Sequence, residues 1–187
     1  HFADIPVFLG NDADLAALAE LHAGALRGAR CAALLTLGTG LGGGLIINGR
    51  LWRGGMGNGC EMGHFIMDMS CGVPCTCGVR GCCETRCAAS ALVREGREAA
   101  RIHPESLINV RSRGEERNIS AKLVIDCARE NDPAALAVFE RYTDALSAAV
   151  ASLVNILDPE VIAFGGGVSA AGEFLFAPVR EKTRRLS

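Results

Sequence analysis

Cys75, Cys77 and Cys82 stand in a C-x-C-x4-C pattern inside EMGHFIMDMSCGVPCTCGVRGCCE, residues 61–84. The intervening Gly78-Val79-Arg80-Gly81 suits a tight turn, because glycine reaches backbone angles that other residues avoid. Three thiolates folded back on one another require a cation. Zinc tolerates sulfur and imidazole nitrogen alike and takes four ligands in a tetrahedron. His64 is the candidate for the fourth ligand, and Cys71 is an extra thiol that competes for the place. Disulfides are the competing chemistry. The chain has nine cysteines, an odd number, and Cys-x-Cys is poorly spaced for a local bridge. Nothing resembles a signal peptide, so a reducing cytoplasm is expected, where clustered cysteines favour metal. A zinc with four protein ligands has no open position, so the site is structural and its binding energy acts as folding energy. It would also hold the flanking carboxylates, Glu61 and Glu84, near each other.

The elements that position this segment are read from apolar periodicity. Residues 5–9 (IPVFL) and 31–37 (CAALLTL) are apolar runs of strand length. Between them, Leu15, Leu18, Leu21 and Leu26 fall at roughly helical spacing, with Asn11 or Asp12 as the cap. Capping is the structural reading of Asp12; the functional one is a carboxylate at a strand end, where open α/β sheets place ligands. Residues 38–44 (GTGLGGG) hold five glycines, whose amides can face an anion at close range. Leu45-Ile46-Ile47 follows as strand and Asn48-Gly49 as a hairpin turn. Strand, glycine loop, strand is not the strand–loop–helix context of the dinucleotide or Walker motifs, which leaves a phosphate-cradling β-hairpin. Residues 53–64 are a glycine-rich loop, either mobile surface or the wall of a site.

Glu84 is expected to open a helix running through ALVREGREAAR, as a first-turn acid favoured by the helix dipole. Residues 103–119 are polar and read as a solvated loop. Ser120 and Asp132-Pro133 start two further helices. Leu136, Phe139, Tyr142, Leu146, Val150, Leu153 and Leu157 form the apolar stripe of the second. Residues 161–164 are a buried strand ending in Gly165-Gly166-Gly167, and a helix starts near Glu173.

The 187 residues are enough for one α/β domain spanning the whole chain, 1–187. Nineteen basic and 21 acidic residues leave a net charge of −2, with no basic patch, so nucleic acid is not expected as a partner. No apolar run reaches membrane-span length. The chain opens on His1 rather than methionine and reads as a fragment.

GNDAD at 10–14, TLGTGLGGG at 36–44, EMGH at 61–64, CTCGVRGCCE at 75–84 and GGGVS at 165–169 together resemble the ROK family of repressors, open reading frames and sugar kinases. The resemblance covers nearly the whole chain, and E-x-G-H followed by C-x-C-G-x-x-G-C-x-E is its specific part. It implies an actin-like ATPase (ribonuclease H-like) fold with a zinc-stabilised loop, and phosphorylation of a hexose at its 6-hydroxyl by ATP with Mg²⁺. It makes Asp12 the catalytic base, because a hydroxyl is a poor nucleophile until a carboxylate accepts its proton. Asn11, Glu61, His64 and Glu84 match sugar-binding positions. Gly38, Thr39, Gly40 and Gly42 match a phosphate-binding hairpin, and Gly166 and Gly167 the adenosine side. His64, besides joining Cys75, Cys77 and Cys82 on zinc, is implied to turn its other ring nitrogen toward the sugar.

The family's N-terminal Asp-x-Gly-x-Thr phosphate loop and its last strand and helices are absent from this chain, so little or no kinase activity is expected of it alone. Cys83 stands where many relatives carry a larger apolar residue. The hexose is expected to be glucose, with N-acetylglucosamine and N-acetylmannosamine as alternatives. The family also contains sugar-sensing transcriptional repressors, and a zinc-stabilised module without catalysis is a third reading. Family members are usually homodimers or homotetramers.

Overall fold

The computed structural model describes residues 5–70 and 72–187. Cys71, considered above as a rival ligand, lies outside them. Four strands form one mixed sheet in the order β3-β2-β1-β4. β1 (Cys31–Leu37) pairs antiparallel with β2 (Leu41–Ile47), and β2 with the short β3 (Arg50–Trp52). β4 (Val161–Gly165) lies parallel to β1, with Thr36 opposite Gly165, so both strands end at the same edge of the sheet. That edge is where open α/β sheets bind ligands. The β2–β3 turn is Asn48-Gly49 with φ of 55° and 72°, the paired positive values of a type I′ hairpin.

β1 is apolar without alternation because both of its faces are covered. Ala32 and Leu34 face a cluster with Ala17, Leu26, Ala29 and Ile46, where α1 (Asp12–Ala23) packs. Ala33, Leu35 and Leu37 face the larger cluster. There α6 (Pro133–Leu157) packs with α3 (Ala89–Ile102), α5 (Ala121–Arg129) and α7 (Glu173–Leu186). Both expected caps form. Ser120 Oγ accepts from the Leu123 amide at 3.1 Å, and Asp132 Oδ1 from the Ala135 amide at 2.8 Å.

Several expectations are corrected. Residues 5–9 form no strand: Phe8 is 86% and Leu9 99% exposed, and no described strand pairs with them. Apolar content alone does not make a strand when its backbone groups have no ladder to join. The inner face of α1 is carried by alanines 13 and 17, and Leu15 is exposed. Gly42, Gly43 and Gly44 are not loop but the body of β2. A Cβ on Gly44 would sit 2.5 Å from Ala17 Cβ, and one on Gly43 would strike the Met62 side chain and lie 2.5 Å from the Leu34 carbonyl. These glycines let α1 and Met62 press directly on the strand.

The helix expected from Glu84 is two. α2 (Glu84–Cys87) stops at Ala88, whose backbone is extended, and α3 starts anew. The break lets the Ala89 amide donate to the Gly38 carbonyl at 2.8 Å, clasping α3 to the end of β1. Residues 103–119 are not simply solvated, since α4 (Leu107–Ser112) buries Ile108 completely. Its start is held by Asp132 Oδ2, which accepts from the Leu107 amide at 2.9 Å while its other oxygen caps α6. Leu136 lies on the solvent side of its turn of α6, whose buried side is formed by Ala135, Val138 and Phe139. Among the described residues no helix is long and apolar enough to cross a membrane.

Candidate functional site

A cleft of about 580 Å³ opens at the shared end of β1 and β4. Asn11, Asp12, Gly38, Thr39, Gly40, Gly42, Glu61, Glu84 and Gly166 all line it. Nine residues drawn from five separate sequence motifs therefore converge on one concavity. His64 and Gly167 are not part of its lining.

Asp12 arrives on the first residue of α1. Asn11 Oδ1 accepts from the amides of Ala13 and Asp14 at 2.9 and 3.1 Å, which makes Asn11 the N-cap. This commits the Asn11 oxygen and leaves its NH₂ as the group able to meet a ligand. One Asp12 oxygen rests on the Ala13 amide at 2.8 Å, and the side chain is exposed at the cleft. Two residues on, Asp14 is nearly buried and pairs with Arg53 at 3.1 Å. That ion pair braces the glycine-rich loop 54–60 against α1. Gly57, Asn58, Gly59 and Cys60 of this loop line the cleft, so the wall reading of the loop holds. Burial pushes the Cys60 thiol up from its ordinary range, and its Sγ donates to the Trp52 carbonyl at 2.9 Å.

The hairpin tip is narrower than the glycine pattern suggests. The Gly38 amide donates back to the Gly40 carbonyl at 3.0 Å, and the Leu41 amide to Glu84 Oε2 at 2.9 Å. Among the described residues, the amides of Thr39 and Gly40 meet no protein acceptor. Those two N–H groups and the exposed Thr39 hydroxyl are the donors this tip can offer an anion. Glu84 is shared. Its Oε1 accepts from the Thr76 hydroxyl at 3.2 Å, so one carboxylate joins the hairpin to the cysteine segment. Thr76 was not legible as a site residue, since between two ligand cysteines it looks like a spacer.

Behind Glu84, residues 63–68 run antiparallel to 81–84. The Met67 amide donates to the Gly81 carbonyl at 2.9 Å, Cys83 to Phe65 at 3.0 Å and Glu84 to Gly63 at 2.8 Å, around an Ile66–Cys82 bridge. Gly81 has a φ of 86°, and a Cβ there would strike the Asp68 carbonyl. A turn then returns the chain, with the Cys75 amide on the Val79 carbonyl at 2.8 Å and Gly78 on Cys75 at 3.0 Å. The result gathers His64, Cys75, Cys77 and Cys82, with all four ligand atoms within 4.8 Å of one another. Cys77 and Cys82 sulfurs are 3.6 Å apart, and Cys75 Sγ is 3.6 Å from His64 Nδ1. A zinc tetrahedron with Zn–S of about 2.3 Å and Zn–N of about 2.0 Å has edges of roughly 3.8 Å for S···S and roughly 3.6 Å for S···N. The donors and their separations fit that ion. Burial, then the facing Cys77 and Cys75 sulfurs, push the Cys82 thiol up to about 12, and a central cation is what offsets such crowding of sulfur. Nδ1 is the ring nitrogen that faces the sulfurs.

Among the described residues, the other cysteines do not join the cluster. Cys83 and Cys87 are buried together as free thiols, which mutual contact and burial hold well above their ordinary range in the case of Cys87. A larger groove, about 1410 Å³, shares Thr39 and follows α3. Its arginines are answered from within: Arg141 by Glu95 at 2.8 Å, Arg101 by Glu98 at 2.6 Å, Arg97 by the Glu116 carbonyl at 3.1 Å.

An acid-lined cleft at the carboxyl ends of two parallel strands, with a two-amide anion tip and a four-ligand sulfur–imidazole cluster behind it, defines a ligand-binding α/β domain of the actin-like ATPase type. The ROK family model matches residues 2–186, and the chain belongs to that family. A glucokinase of Thermotoga maritima is 43% identical over 176 residues, covering 94% of this chain and 55% of that protein. The structure of a ROK family glucokinase from Streptomyces griseus, in complex with glucose and AMPPNP, superposes with a TM-score of 0.88 at 37% identity, covering 98% of this chain and 59% of that one. A ROK family transcriptional regulator, a homologue of the E. coli MLC protein, superposes with a TM-score of 0.84 at 31% identity, covering 99% of this chain and 45% of that one. The chain thus spans about half the length of the curated relatives it matches.

Proposed function

We propose that the full-length protein is an ATP-dependent hexose kinase, most simply a glucokinase, and that residues 1–187 form its larger domain. The observation that carries this reading is the convergence of Asp12, Glu61, Glu84 and the Thr39–Gly40 tip on one cleft. Asp12 accepts the proton of the sugar's 6-hydroxyl as that oxygen attacks the terminal phosphorus; its free oxygen is the acceptor. Glu61, Glu84 and the Asn11 amide hold the other hydroxyls. Thr39 and Gly40 hold phosphate oxygens, and Gly38 and Gly42 keep the tip in shape. ATP with Mg²⁺ supplies the phosphoryl group, and Gly166 and Gly167 lie on its adenosine side. Zinc on His64, Cys75, Cys77 and Cys82 is structural; His64, outside the cleft lining, meets it through Nδ1 and keeps Nε2 free of the metal. The likeness to two glucokinases supports this assignment.

The likeness to a transcriptional regulator keeps a sugar-sensing repressor as the second reading. A coupled assay of the full-length protein over a hexose panel separates them. The kinase reading expects turnover that falls by about 10²–10⁴-fold in Asp12→Asn, the loss of a positioned general base. Sugar binding without turnover supports the repressor and overturns the kinase. The 187-residue chain alone is expected to bind zinc and to show little or no kinase activity.

A further inference from the structure

The four ligands of the cluster are not equivalent. Cys75 and Cys82 are buried, at 7% and 0% exposure, whereas Cys77 is exposed to solvent. The Cys77 sulfur lies 3.6 Å from that of Cys82. Cys75, the third sulfur of the cluster, also borders His64 Nδ1 at 3.6 Å and Glu84 Oε1 at 3.5 Å. The cluster therefore presents one sulfur to solutes and one buried sulfur that can answer it.

We infer that Cys77 is an oxidation site: a hydroperoxide converts Cys77 and Cys82 to a disulfide, expels the metal, and thereby releases Glu84 from its place in the cleft. The inference rests on the zinc site proposed above. In the first step the Cys77 thiolate attacks the terminal peroxide oxygen. The O–O bond breaks, giving the sulfenic acid and an alcohol, or water from hydrogen peroxide itself. In the second, the Cys82 thiolate attacks the Cys77 sulfur. The S–O bond breaks and hydroxide leaves. Two electrons pass from the sulfur pair to one peroxide.

The disulfide needs the sulfurs to close from 3.6 Å to about 2.05 Å, inside the turn that Gly78 and Gly81 already make. Zinc is then left with Cys75 and His64, two ligands instead of four. Thr76 sits between Cys75 and Cys77, and its hydroxyl holds Glu84 Oε1 at 3.2 Å. The other Glu84 oxygen holds the Leu41 amide at 2.9 Å, at the root of the anion tip. Movement of the Cys77 backbone thus reaches both the acid wall and the hairpin through Thr76.

The test uses the full-length zinc-loaded protein. Metal content is measured first, then hydrogen peroxide is added with a chromophoric chelator present, and disulfides are mapped by mass spectrometry after alkylation. The expected result is loss of the bound zinc, about one equivalent per chain, together with a Cys77–Cys82 linkage, both reversed by dithiothreitol and added zinc. Cys77→His keeps four ligands without the exposed thiol and is expected to retain its metal under the same treatment. Zinc retained by the wild-type protein overturns the inference, as does a linkage through any other cysteine pair or zinc loss equally fast in Cys77→His. Protein that carries no zinc before treatment overturns the metal reading itself, and this inference with it.

Discussion

The cleft has two walls built in opposite ways. One, from β1, β2 and the start of α1, is regular structure. Seven paired positions join β1 to β2, from Cys31–Ile47 to Leu37–Leu41, and the helix packs against them through Ala13 and Ala17. The other wall, residues 61–84, has among its described residues no strand and only a turn of helix at its end. Two isolated bridges, a few backbone bonds and side-chain contacts hold it. The first wall is specified by the backbone and by residues small enough to let it close. The second has no core of its own, which is the situation in which a structural metal contributes folding energy. Glu84 spans the two, with one oxygen on Leu41 and the other on Thr76.

The contrast can be broken most readily at the packed wall. Gly43→Ala places a Cβ against Met62 and the Leu34 carbonyl at 2.5 Å, and the backbone partner cannot swing away. A loss of about 1–3 kcal/mol is expected, read by denaturant unfolding, with zinc content of the folded protein unchanged. Wild-type stability would show that this wall tolerates looser packing than its geometry implies.

Asn11→Ala removes the acceptor of the Ala13 and Asp14 amides, and about 1 kcal/mol is expected to go with it. Asn11→Asp keeps the acceptor and is expected to recover most of that stability while still losing sugar affinity, because the NH₂ donor is gone. Recovery of both would remove Asn11 from the site.

The smallest effect belongs to the metal wall. Arg86, bonded at 2.8 Å, then Ser70, hold the Asp68 carboxyl below its usual range. A carboxyl depressed on folding contributes stability above its unfolded value, 3.8, and loses it as pH falls through the lower folded value. Asp68→Asn should therefore narrow the gap between neutral and pH 3 stability slightly, and an unchanged acid profile would show the pair to be idle. The pair sits at the surface with Asp68 only partly covered, so solvent screening keeps the effect small.

The two walls also differed in how far the sequence revealed them. C-x-C-x4-C with an upstream histidine is a spacing that chemistry constrains, and the four candidate ligand atoms lie within 4.8 Å of one another. β1, α6 and the α6 cap were legible because burial on both faces, or an Asp-Pro start, leaves a local signature; β4 falls where it was expected, but it is half-buried along its whole length rather than buried. Gly42–Gly44 misled. A glycine run signals a loop and close packing equally well, and only the position of α1 decides between them. The run at 5–9 misled for the opposite reason, since a strand depends on a partner that no local pattern announces. Thr76 was invisible because its role exists only once the turn at 75–79 aims it at Glu84. The break at Ala88 likewise arises from a distant carbonyl, that of Gly38.

Amide hydrogen exchange with and without a chelator tests the central contrast most directly. The amides of Met67, Cys75, Cys83 and Glu84 are bonded only within the cysteine segment. Those of β1 and β2 are bonded across the sheet. Removing zinc is expected to abolish protection at the first set and to leave the second nearly unchanged. Equal loss in both sets would make the metal a support of the whole fold, and protection kept at 61–84 would mean that the cysteine wall stands without it.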